Sequence, residues 1–331
     1  MTKLRSTGII SIASALPEKV LTNSDLEKIV DTDDEWIRTM TGISERRMAD
    51  ENEAASDFAI EAGRGALERA NLEPKDVDLI IVATVTGDMP FPATASIVQD
   101  ALGVCGTPAF DLAAGCSGWI YSLAVAKGFV ASAIYDRVLV IGVDILTKVT
   151  NWADRSTCIL FGDGAGAGIV APVEDGVGLL DFDLGSDGSG AELLKISAGG
   201  SRNPCTHEDI DAQRNKISMQ GREVFKFGVK IQGESTERVL AKCGMTTKDV
   251  DLVVPHQANI RVIDSAARRL GLPADKFYQN LHRYGNTSAA SIPIALDEAV
   301  QEGKIKKGDT VVAVGFGAGL TWGAGAMKWA Y

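Results

Sequence analysis

The heptapeptide Lys75-Asp76-Val77-Asp78-Leu79-Ile80-Ile81 returns 173 residues further on as Lys248-Asp249-Val250-Asp251-Leu252-Val253-Val254, with five identities followed by two conservative pairs. A repeat of this kind marks two copies of one folding unit. It extends in both directions. Helical patterns precede the copies (59–70 and 229–243) and follow them (95–102 and 260–270). Each copy continues with a strand, a tight turn and an apolar helix. In the first half these occupy 109–112 and 116–133; in the second, 277–281 and 286–300. Strands over 138–143 and 310–314 close the units. Alternating strands and helices imply right-handed crossovers and mostly parallel sheets, with reactive groups gathering at strand-to-helix junctions. The chain thus reads as α/β, with pseudo-symmetric halves over 1–172 and 173–331.

With 331 residues, 45% of them hydrophobic, it has enough apolar surface for one large core or two ordinary ones. A net charge of -11 argues against nucleic acid or an anionic membrane as the main partner. An acidic partner would need a local basic patch. No apolar run approaches the length of a membrane span. Lys3 and Arg5 precede an apolar stretch over 8–16, and Ala13-Ser14-Ala15 imitates a cleavage site. Because that stretch is short and broken by Ser11 and Ser14, it reads as a first strand rather than a signal peptide. The cysteines, Cys105, Cys116, Cys158, Cys205 and Cys243, are odd in number and form no C-x-x-C pair, so neither a disulfide framework nor a zinc site is indicated. A reducing, cytoplasmic setting is expected, with no metal or cofactor.

Cys116 is the candidate nucleophile. Ala114, Gly115, Ser117 and Gly118 surround it with small side chains that let a carbonyl approach, and the unpaired amides of a helix start favour thiolate. A buried structural cysteine is the bland alternative. The repeat places Gly115-Cys116-Ser117 and Gly285-Asn286-Thr287 at equivalent junctions, while His256 lies just past the repeated strand of the second half. If the halves pack about a pseudo-twofold axis, Cys116, His256 and Asn286 converge on one site. Taken singly, His256 could be a satisfied histidine and Asn286 a helix cap. His207 lies in a polar loop over 201–213 and is expected to be solvated; His282 precedes the Gly285-Asn286 turn but has no strand to hold it. Two glycine clusters, Phe161-Gly162-Asp163-Gly164-Ala165-Gly166 and Gly315-Phe316-Gly317-Ala318-Gly319, are expected as turns. Strand patterns follow them where a dinucleotide site needs a helix, which speaks against NAD. Close packing, or amides aimed at an oxyanion, suits them better.

At this point the chain resembles the thiolase-fold condensing enzymes, specifically the β-ketoacyl-acyl carrier protein synthase III family. The markers run nearly end to end: Glu35-Trp36-Ile37 with Thr41-Gly42-Ile43 and Arg46-Arg47; the Cys116 segment; Asp154-Arg155-Ser156-Thr157 leading into the first glycine cluster; Glu223-Val224-Phe225-Lys226; His256-Gln257-Ala258-Asn259; Tyr284-Gly285-Asn286-Thr287-Ser288; and Gly317-Ala318-Gly319-Leu320-Thr321-Trp322-Gly323. The resemblance implies a layered αβαβα thiolase-like fold and a homodimer. It also implies an acyltransferase that condenses a short acyl-CoA with malonyl-acyl carrier protein to start fatty acid biosynthesis.

By the same resemblance, Cys116 carries the acyl group, His256 and Asn286 stabilise the enolate formed on decarboxylation, and the Cys116 and Ala318 amides form an oxyanion hole. Trp36 and Arg155 would hold the CoA adenine, with Gly221 and Asn259 along the pantetheine channel. Leu146, Leu160, Phe161, Leu194, Met219, Phe225 and Phe316 would wall the acyl pocket, and Phe91 would reach across the dimer interface. Lys226, Arg261, Arg268 and Arg269 would dock the acidic carrier protein. Departures are Gly115 where Ala is usual, Trp119 where Phe is usual, and Ala318 where some members have Gly. A paralogous ketosynthase of secondary metabolism or long-chain condensation is the nearest alternative, and a cysteine thioester hydrolase a more distant one.

Overall fold

The computed structural model describes residues 4–331; Lys3 lies outside them. The stretch that imitates a signal peptide is a strand, Thr7–Ala15, paired antiparallel with Asp163–Pro172. The first sheet runs in the order Thr7–Ala15, Asp163–Pro172, Val138–Ile145, Leu79–Ala83, Ala109–Leu112; the second, Gly178–Ser186, Thr321–Lys328, Thr310–Gly317, Leu252–Pro255. Step by step the pairings agree: antiparallel, antiparallel, then parallel. The two repeated strands, Leu79–Ala83 and Leu252–Pro255, occupy the same place in their sheets. Every residue in both is buried, which is why they read as unbroken apolar runs.

The expected strand over 277–281 does not form. Only the bridge between Val253 and Phe277 remains of it. The amides of Asn280 and Leu281 instead donate to Gln257 Oε1, at 3.1 and 3.2 Å, and Leu281–Tyr284 coils into a short helix. A side chain has taken the donors a ladder would have used.

The helices Gly118–Ala131 and Ser291–Gln301 lie between the sheets. Trp119, Leu123 and Leu296 pack there against Leu79 and Val140 of one sheet and Val254 and Val311 of the other. Helices apolar on nearly every side belong in such a middle layer. Ala55–Arg69 and Thr94–Ala101 cover the outer face of the first sheet, and Gly221–Lys242 and Ile260–Leu270 that of the second. The result is the five-layer αβαβα stack.

Much of each glycine cluster is strand rather than turn, since Gly164 and Gly166 lie within Asp163–Pro172 and Gly315 and Gly317 within Thr310–Gly317. Their missing side chains allow close approach between the halves. A Cβ on Gly166 would lie 2.7 Å from Pro293 Cβ, and one on Gly142 would overlap the Ala289 carbonyl oxygen. The segment that carries Asn286 is therefore pressed directly onto the first sheet.

Candidate active site

Cys116 sits in a single helical turn, Gly115–Ser117, between the strand Ala109–Leu112 and the helix Gly118–Ala131. Gly115 adopts φ +55°, a left-handed conformation that suits glycine. A Cβ there would also lie 3.0 Å from both the nitrogen and the oxygen of Ala318. The backbone at position 115 thus favours glycine. Cys116 and Ala318 are brought side by side, as an oxyanion hole made from their amides requires.

Asn286 is clamped across the halves by its backbone: its nitrogen donates to Leu160 O at 2.8 Å, and its carbonyl accepts from Gly162 N at 3.0 Å. Its Oδ1 accepts from the Ser288 amide at 2.9 Å, so the other side-chain atom is the Nδ2 donor. His256 follows the strand Leu252–Pro255. Its amide donates to Val314 O at 2.7 Å, and its ring stands edge-on to Phe316.

Cys116, His256 and Asn286 line one cavity of about 90 Å³, together with Leu160, Phe161, Leu194, Met219, Phe225 and Phe316. Gly221 and Asn259 lie on the same cavity. A second cavity, of about 240 Å³, also reaches Cys116 and Phe161 and is walled by Leu146, Leu194, Ile217 and Ala318. The nucleophile therefore stands where two largely apolar chambers meet. Asn259 additionally caps the helix Ile260–Leu270 through the Arg261 amide.

Other candidates lie apart. Trp36 and Arg155 border neither chamber, but the guanidinium lies 4.9 Å over the indole ring, forming a flat cationic platform. Phe91 is 83% exposed and lines neither chamber. His282 faces an outer groove with Asp34 and Glu35, and His207 is exposed at the start of a short helix, His207–Asp211, inside the expected loop. Lys226, Arg261, Arg268 and Arg269 are all exposed. Arg269, however, is turned back onto the neighbouring helix by Glu237, at 2.9 Å, and Glu234, at 3.4 Å. Lys226 pairs with Glu223 at 2.8 Å, and Arg261 stacks over Phe225.

Burial pushes the Cys116 thiol up to about 12, with Asp144 adding to the rise and contacts from Ser288 and the Cys116 amide opposing it. The Cys116 amide favours thiolate, as expected, but loss of solvent outweighs it. Burial also pushes the His256 imidazole down to about 3. At neutral pH the pair is a thiol beside a neutral ring.

Sequence reasoning missed Asp144. Its carboxylate accepts from Thr84 Oγ1, Thr86 Oγ1 and the amides of Val85, Thr86 and Ala289, at 2.7 to 3.2 Å. It ties strand ends of the first half to the Asn286 segment of the second. A lone acid closing the apolar run 138–143 was the available signal.

Two family models match, 3-oxoacyl-[acyl-carrier-protein] synthase III over residues 110–188 and its C-terminal model over 240–329. The chain is 56% identical to the β-ketoacyl-[acyl-carrier-protein] synthase III of Caldanaerobacter subterraneus subsp. tengcongensis, with 98% of each chain covered. It is 54% identical to that of Symbiobacterium thermophilum, with 99% of each covered. The crystal structure of 3-oxoacyl-[acyl-carrier-protein] synthase III from Aquifex aeolicus superposes with a TM-score of 0.91 at 47% identity, covering 98% of this chain and all of that one. Similarity that spans both halves and joins the nucleophile turn to the histidine and asparagine segments is not confined to a shared fold: the chain belongs to the β-ketoacyl-[acyl-carrier-protein] synthase III family.

Proposed function

We propose that this chain is the acyltransferase that begins fatty acid biosynthesis, joining a short acyl group from acyl-CoA to malonyl-acyl carrier protein. The observation that carries the reading is the convergence of Cys116, His256 and Asn286, drawn from both halves, on one cavity. Cys116 attacks the acyl-CoA thioester, its proton leaves with CoA, and the acyl group remains on sulfur. The Cys116 and Ala318 amides hold the oxyanion of that step. Malonyl-carrier protein then enters, and His256 and Asn286 donate to its thioester oxygen while CO2 departs. The resulting carbanion attacks the acyl-cysteine and releases 3-ketoacyl-carrier protein. A neutral imidazole suits this donor role. A hydrolase would differ in the second step, where water rather than the malonyl carbanion would discharge Cys116.

Intact-mass spectrometry after incubation with mixed acyl-CoAs tests the reading. One acyl mass should appear on Cys116, persist without malonyl-carrier protein and be discharged as ketoacyl product when it is added. Rapid hydrolysis without the second substrate, or labelling elsewhere, would overturn it. Under native conditions the same measurement reports association. We propose a homodimer, supported by the exposed apolar side chains of Val85, Met89 and Phe91, and a monomer only would count against it.

Arg261, Arg268 and Lys226 are proposed to meet the acidic carrier protein, with Arg269 bracing the helix behind them. Arg268→Glu combined with Lys226→Glu should raise KM for malonyl-carrier protein at low salt, and the effect should shrink as salt screens it. A KM unchanged at low salt would remove the patch. Among the described residues no helix is long and apolar enough to cross a membrane. A cytoplasmic setting is proposed, supported by five free thiols.

A further inference from the structure

Ser291 opens the middle-layer helix Ser291–Gln301 and is 1% exposed. It borders neither chamber. Its Oγ lies 2.6 Å from Nδ1 of His256, itself 1% exposed. A neutral imidazole has a single N–H, and two arrangements satisfy that distance. Either Nδ1–H donates to the hydroxyl and Nε2 is a bare acceptor, or the hydroxyl donates to Nδ1 and Nε2 bears the hydrogen.

The surroundings of the hydroxyl distinguish them. Among the described residues Ser291 Oγ makes no other hydrogen bond. In particular it does not turn back to the carbonyl four residues earlier, as the hydroxyls of Thr150 and Thr236 do. With hydrogen on Nδ1, the serine proton would be buried without an acceptor, an unfavourable state that the other tautomer avoids. Asn286 is oriented by the same device, since the Ser288 amide occupies its Oδ1. One short segment, 286–291, thus points two donors into the chamber beside Cys116.

We propose that Ser291 is a positioning residue that holds His256 in its Nε2–H tautomer, which makes the ring a hydrogen-bond donor to the malonyl thioester oxygen. The tautomer follows from contacts in the protein alone, whereas its use rests on the condensing reading above, so the two can fail separately.

Two-bond proton–nitrogen correlation spectra of the uniformly 15N-labelled enzyme, with His256 assigned by its loss in a His256→Asn variant, report which ring nitrogen bears hydrogen. The wild-type ring should be protonated at Nε2 without any substrate. Ser291→Ala should give a mixed or Nδ1–H ring, and Ser291→Thr should restore the wild-type pattern. Condensation by the pre-acylated enzyme should fall about tenfold or more in Ser291→Ala and recover in Ser291→Thr, with acylation of Cys116 affected less. A wild-type ring protonated at Nδ1, or an unchanged tautomer in folded Ser291→Ala, overturns the proposal. If Ser291→Ala does not fold, the wild-type spectrum alone decides. Nε2–H spectra from an enzyme that performs no condensation would sink the functional reading and leave the tautomer assignment standing.

Discussion

Gly317→Ala is expected to abolish acylation of Cys116 on the assay timescale, with a loss of about 100-fold or more. Gly317 ends the strand Thr310–Gly317. A Cβ there would overlap the Cys116 amide nitrogen and lie 3.1 and 3.2 Å from its Cβ and Cα. Two of these three atoms are backbone, so no rotamer change relieves the clash. The Gly115–Ser117 turn must move away, which displaces the sulfur and separates the Cys116 amide from Ala318. A displacement of about 1 Å is enough for a loss of that size, and the overpacking should also lower stability by about 1–3 kcal/mol. Gly128→Ala is the control. It lies in the helix that follows the nucleophile, with nothing within 4 Å of the added carbon, and should stabilise by about 0.5–1 kcal/mol. CoA release under single-turnover conditions, read beside thermal melting, checks both. Acylation by Gly317→Ala at the wild-type rate would show that the turn is not held where it needs to be for catalysis.

Asn286→Ala should separate the two half-reactions, lowering condensation by about 10²–10³ while acyl transfer to Cys116 stays measurable. Removal of one preorganised donor to a developing oxyanion costs about 3–4 kcal/mol, and in the proposed mechanism this donor serves the enolate rather than the first tetrahedral intermediate. Alanine also deprives the Ser288 amide of its acceptor at 2.9 Å, and a distorted turn could mimic loss of the donor. Asn286→Asp removes that ambiguity. It keeps an acceptor for Ser288 but sets a carboxylate where the enolate needs a donor, so condensation should fall at least as far. Equal losses of both half-reactions in both variants would mean that Asn286 acts through the shape of the site.

Local pattern carried much of the architecture. The repeat predicted corresponding strands at Leu79–Ala83 and Leu252–Pro255, and the second sheet reproduces the strand order of the first up to its final position. Where reasoning failed, a tertiary partner had overridden a local preference. Residues 277–281 have a strand's composition, yet Gln257 captures the amides of Asn280 and Leu281. The glycine clusters look like turns, yet much of each is strand whose missing side chains admit the opposite half. Cys116 stands at a helix start, yet burial sets its titration.

Residue order alone thus indicated a duplicated α/β chain and the family, and singled out Cys116 as the candidate nucleophile, because periodicity and motif are written in neighbouring residues. Which tautomer His256 adopts, what Arg269 pairs with, and why position 317 admits only glycine depend on groups tens to hundreds of residues away. Desolvation, buried hydrogen bonds and steric overlap are set by those distant groups, and they acquire values only once the two halves have closed on each other.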